Sequence, residues 1–136
     1  MSGAHVGLVR HDESLAVVRL GAGSEVPDWA TSSTLLSVTA TAEETSVVCA
    51  AAAVPPRATS EGPFTAFRVA GTLDFALTGV LSGLLAPLAD AGVSVFTIST
   101  YDTDWVLVPV ARADEAAALW TDAGHPVTTA VQEDPA

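Results

Sequence analysis

The sequence closes two stretches in the same way. Leu88-Ala89-Asp90-Ala91-Gly92 runs into Val93-Ser94-Val95, and Trp120-Thr121-Asp122-Ala123-Gly124 runs into His125-Pro126-Val127. Each reads as a helix end followed by a strand, because a glycine just past the last turn accepts the left-handed conformation that side chains resist. Before the first end, apolar residues stand at 77, 80, 81, 84, 85 and 88, a helical spacing with one broad buried face. Thr72 or Asp74 can cap its start, and Pro87 should kink its last turn by removing an amide donor. Gly79 and Gly83 read as places where another element packs close. Before the second end, 112–123 forms a shorter helix with Ala116, Leu119, Trp120 and Ala123 inward. The flanking segments FTAFRVA (64–70), VSVFTIS (93–99), WVLVPV (105–110) and PVTTAV (126–131) read as strands.

Strand-helix-strand therefore occurs twice over 64–136. This is the split β-α-β pattern of a ferredoxin-like α+β sandwich, an antiparallel sheet with helices on one face. In that arrangement 93–98 is an edge strand, and open edges are usually covered. The first half is a partial copy. LAVVRL (15–20), LLSVTAT (35–41) and SVVCAAAAV (46–54) read as strands, and Pro27-Asp28-Trp29-Ala30 as the start of a short helix. Residues 55–63, PPRATSEGP, read as a linker. The expected organisation is an incomplete N-terminal module over 1–54, the linker at 55–63 and a βαββαβ module over 64–136.

Charge narrows the partners. Sixteen acids against five bases give a net charge of −11, which repels nucleic acid and anionic membrane surfaces. The uncharged stretch 75–89 is shorter than the roughly 20 residues of a spanning helix, and the N-terminus has no apolar core of a signal sequence. Cys49 is the one cysteine, so neither a disulfide framework nor a thiolate cluster forms, and a reducing cytoplasm is the expected compartment. It sits in an apolar run and reads as core rather than nucleophile. His5, His11 and His125 are scattered, and His125 follows a helix end, where an imidazolium is favoured.

One polar knot remains, 99-STYDTDW-105, between two apolar runs. A D-x-D pair can hold a divalent cation, but such cations need further oxygen ligands and no other acidic cluster belongs to this site. Neither a metal nor a cofactor is expected. Asp102 with Thr103 reads as the turn. Asp104, at the start of an apolar strand, reads as a half-buried carboxylate in need of a cationic partner. Gly71, where a strand passes into a helix, exposes backbone amides suited to a carboxylate.

The stretches 71-GTLDFALTGV-80, 92-GVSVF-96 and 99-STYDTD-104, with 44-ETSVVC-49 in the first half, resemble the ACT-domain proteins related to the CASTOR arginine sensors, of which short two-module bacterial chains are known. The resemblance implies a non-catalytic regulatory module that binds an amino acid between ACT modules and controls another protein. It implies ligand contacts from Ser94 and Val95 on one face, and from Gly71, Asp74, Leu77, Thr100, Tyr101 and Asp104 on the other. One such turn per chain implies a homodimer. The arginine sensors resemble this stretch but carry glycine at the position of Asp74 and an acid at that of Leu77, so the resemblance leaves the amino acid open. The alternative is a structural or partner-binding dimer module without a ligand.

Overall fold

The computed structural model describes residues 5–71 and 79–130. In chain order these form β1 (Leu8–Gly21), β2 (Ser37–Ala40), β3 (Glu44–Ala50), β4 (Thr59–Val69), α1 (Val80–Asp90), β5 (Phe96–Ser99), β6 (Asp104–Pro109), α2 (Ala113–Asp122) and β7 (Val127–Thr129). The fold is α+β, and the order β4-α1-β5-β6-α2-β7 is the expected βαββαβ.

Two compact units divide the chain, 13–64 and 1–12 with 65–136. The expected division differs at both of its boundaries. Residues 59–63 are the beginning of β4 rather than linker, and β1 begins at Leu8 rather than at residue 15. Both differences have one cause. Backbone pairing holds polar stretches such as 10-RHDES-14 in strands that side-chain alternation alone does not reveal.

In the helix-bearing unit, β1, β4, β6 and β5 lie in that order, with β5 at the edge. β5 and β6 pair antiparallel, Phe96 opposite Leu107 and Ser99 opposite Asp104. One pair departs from the antiparallel expectation: β7 runs parallel to β1, Leu8 opposite Val127. The N-terminal segment takes this place through Leu8 N–H to the Pro126 carbonyl and Ala70 N–H to the Gly7 carbonyl, both 2.8 Å.

The helices bury what their spacing predicts, with exceptions. Val80, Leu84 and Leu88 are buried, while Leu81 and Leu85 are partly buried against the same core. Both helix ends close as expected. Gly92 and Gly124 have φ of 73° and 95°, and Val93 N–H reaches the Leu88 carbonyl at 2.9 Å as His125 N–H reaches that of Trp120 at 2.8 Å. Trp120 is fully buried, edge-on to Phe67 at 4.8 Å, and its indole N–H donates to the Leu84 carbonyl at 2.8 Å. That bond satisfies the indole's only polar group and joins the helices. Ala123 is exposed, not inward, because it already belongs to the turn beyond α2. Gly83 has open space where a Cβ would stand, so none of the described residues packs close to it. Gly79 precedes α1 as its left-handed cap, with φ of 79°. Thr72 and Asp74, the expected caps, lie outside the described residues.

The other unit pairs β2 with β3 and β3 with β1, both antiparallel, with Val18 opposite Val47 and Val38 also opposite Val47. Its core holds Val18, Ala30, Val47 and Cys49, with Trp29 and Leu20 against it. No α-helix occurs in it; Pro27–Ala30 is a turn closed by Ala30 N–H to the Pro27 carbonyl at 3.0 Å. A single hydrogen-bonded turn is too short to nucleate a helix. Glu13 ties down the following loop, accepting from the hydroxyls of Ser32 and Ser33.

Candidate functional site at the 99–105 turn

The knot is built by its threonines. Thr100 N–H donates to the Thr103 carbonyl at 2.8 Å, and the Thr100 hydroxyl accepts from Thr103 N–H at 3.3 Å. Asp102 is exposed and does not close the turn as expected. The Thr100 hydroxyl, two residues earlier, does so, since it reaches across the turn as both acceptor and donor. Thr103 is buried, and its hydroxyl donates to the Val69 carbonyl at 2.8 Å. This bond pins the knot to the end of β4, two residues before Gly71.

Gly71, Thr100 and Asp104 are thereby gathered at one end of the sheet, where β4 and β5 finish and β6 begins. Gly71 has φ of 78° and open space at its Cβ position, so the turn itself requires glycine. Asp104 is half-buried and accepts from the Ser99 hydroxyl at 2.6 Å, across the β5–β6 pair. Among the described residues no ion pair reaches Asp104; Arg10 binds Asp114 and Arg112 binds Glu115. Tyr101 is 81% exposed at the tip of the knot. Asp74 and Leu77 fall outside the described residues.

Ser94 and Val95 do not join this group. Ser94 is exposed and Val95 partly buried, and both precede β5 at the end opposite Ser99. At the rise of an extended chain, the five steps from Val95 to Thr100 span about 16 Å.

The structure adds Arg68. Its guanidinium lies 3.5 Å from the same Val69 carbonyl that Thr103 binds, which makes it the cation beside the knot. The signal was present in FTAFRVA, where alternation places Arg68 on the face opposite Phe67 and Val69. Two other groups fall away from chemistry. Cys49 is buried, and burial followed by the Glu13 charge pushes its thiol pKa up, so it is a poor thiolate. Among the described residues, no three His, Cys, Asp or Glu side chains converge as a metal site would require. No helix among them is long and apolar enough to cross a membrane.

His125 reverses its expected character. It is buried, and Nδ1 accepts from Val6 N–H at 3.1 Å, which requires the neutral ring. Burial, and then the neighbouring His5, lower its pKa from the ordinary 6.5.

Comparison with known families places the stretch that carries this arrangement. The family model described as the ACT domain matches residues 59–119. The chain contains an ACT domain. A second family model, for an N-terminal domain, matches 13–57, within the helix-free unit. No curated protein matches the chain. Among solved structures, a protein of Agrobacterium tumefaciens is 27% identical, with a TM-score of 0.88 over 98% of this chain and 100% of that one. The aspartate kinase of Clostridium acetobutylicum, an allosteric enzyme, is 12% identical with a TM-score of 0.67, over 92% of this chain and 36% of that one. The regulatory subunit of aspartate kinase from Thermus flavus is 12% identical with a TM-score of 0.59, over 90% of this chain and 99% of that one. These last two share the fold with this ACT-bearing chain.

Proposed function

We propose that the protein is a non-catalytic, cytoplasmic sensor module that binds an amino acid between ACT modules of two copies and regulates another protein. The observation that carries this reading is the separation inside one chain. Gly71, Thr100 and Asp104 stand together, with Arg68 beside them, while Ser94 and Val95 sit at the far end of β5. A free amino acid is shorter than that gap, so a ligand touching both groups takes one from each copy. The edge position of β5, with Phe96 36% exposed, supports side-by-side pairing of two copies there. The fold shared with regulatory subunits and the resemblance of 99-STYDTD-104 to the CASTOR-related proteins support the same reading.

An amino acid carries an ammonium and a carboxylate, and the site offers an opposite for each. Asp104 is held by Ser99 and pairs with no cation among the described residues, so it receives the ammonium or a cationic side chain. The carboxylate goes to the turn at Gly71 and to Arg68. Tyr101 covers the aliphatic part with its ring. A thermal-shift screen of the twenty amino acids tests the reading, because a ligand at 100 times its Kd adds about 2.7 kcal/mol. A rise in melting temperature with one amino acid or a small group is expected. No rise with any of them leaves the ligand-free dimer module in its place.

A further inference from the structure

We propose that His125 is a proton-operated latch on the ligand loop: neutral, it holds Val6 and, through Gly7 and Ala70, the turn at Gly71; protonated, it lets that segment go. The proposal rests on the reading of Gly71 as part of the ligand site and adds a means of regulating it. The path is a run of direct bonds. Val6 N–H donates to His125 Nδ1 at 3.1 Å. The next residue, Gly7, accepts from Ala70 N–H at 2.8 Å, and Ala70 adjoins Gly71. Protonation of Nδ1 would set two N–H donors facing each other, so the ring and Val6 cannot keep their positions. His125 is buried and its backbone N–H is bonded to the Trp120 carbonyl at the end of α2, so the movable partner is the segment 5–7.

The surroundings make the neutral state the resting one. Burial comes first; from the N-terminal segment His5 then meets the ring edge-on at 5.5 Å and disfavours a charge on it, and together these outweigh the opposing effect of the Val6 backbone. α2 carries Asp122, exposed on its last turn, and Asp114 and Glu115 at its opposite end, paired with Arg10 and Arg112. β7 (Val127–Thr129) has no charged residue, and β1 brings Arg10, already engaged by Asp114. Near the end of β4 stands Arg68, whose guanidinium lies against the Val69 carbonyl and whose charge acts on His11 rather than on His125. The neutral tautomer with hydrogen on Nε2 leaves no lone pair there, so the His5–His125 pair does not serve a metal in this state.

The test is an amide-exchange and NMR titration of the isotope-labelled, ligand-free protein between pH 7.5 and 5, wild type beside His125→Asn. Asparagine can offer an acceptor to Val6 without titrating. In the wild type the Val6 and Ala70 amides should lose protection together as the His125 ring protonates, and the Gly71 amide shift should follow the same titration. In His125→Asn all three should stay flat, while Trp120 keeps its protection in both. Loss of Val6 and Ala70 protection in His125→Asn as in the wild type would overturn the proposal. So would a Gly71 amide that ignores the titration of His125. Neither result depends on whether an amino acid binds.

Discussion

At the scale of single residues, the knot separates shape from recognition. Thr100 and Thr103 give it shape, while Asp104 accepts from a serine hydroxyl and meets no ion pair among the described residues. Thr103→Val keeps the volume but leaves the Val69 carbonyl without its hydroxyl, and should cost about 1–3 kcal/mol in urea unfolding. Asp102→Asn, at an exposed position, should stay within about 0.5 kcal/mol of the wild type. Equal effects at the two would mean that Asp102, not Thr103, secures the turn. The sequence marked this turn as special because polar residues interrupt an apolar run there. It did not reveal which side chains close it. Asp and Thr serve equally well in turns, and the buried Val69 carbonyl that selects Thr103 comes from 34 residues away.

At the scale of elements, periodicity and glycine placement carried most of the reading. Both helices, their glycine-closed ends and the edge strand were legible because each rests on local chemistry, although the strand expected from residue 93 begins only at Phe96. What was not legible depends on long-range pairing: the strand character of 8–14 and 59–63, and the parallel lodging of β1 against β7. Leu84→Ala should cost about 2–5 kcal/mol, since that side chain is fully enclosed. Leu81→Ala, at a partly buried position, should cost clearly less. Gly83→Ala should add about 0.5–1 kcal/mol, because a methyl meets nothing and the helix gains a better former. Thermal or urea unfolding of the three variants checks this. A Gly83→Ala variant less stable than the wild type would show that another surface packs on that face of α1.

At the scale of the molecule, two histidines set the response to acid. Burial first, then Arg68, lower the pKa of His11, as burial and His5 lower that of His125, each from 6.5. A base whose folded pKa is depressed gives its stability in full above the unfolded value and loses it as pH falls below, since the unfolded chain then binds more protons. Unfolding free energy should therefore be level above pH 6.5 and decline below it, with a shallower decline in His125→Asn. Burial alone would raise the Glu13 pKa, but bonds from Ser32 and Ser33 outweigh it and hold it below 4.5, so a second loss should follow in stronger acid. A flat profile from pH 7 to 5 would contradict both histidine environments. The proposed ligand site is shared by two copies, with Ser94 and Val95 from one and the knot from the other. Asp104→Ala removes the charge partner, and Ser94→Trp fills the opposite wall, so neither variant alone should bind. Co-refolded, they form mixed dimers in which one site draws an intact wall from each chain. Calorimetry with the twenty amino acids should show no heat for either variant and restored binding at one site per mixed dimer. Binding by either variant alone, or no restoration in a mixture shown to exchange subunits, would contradict a shared site.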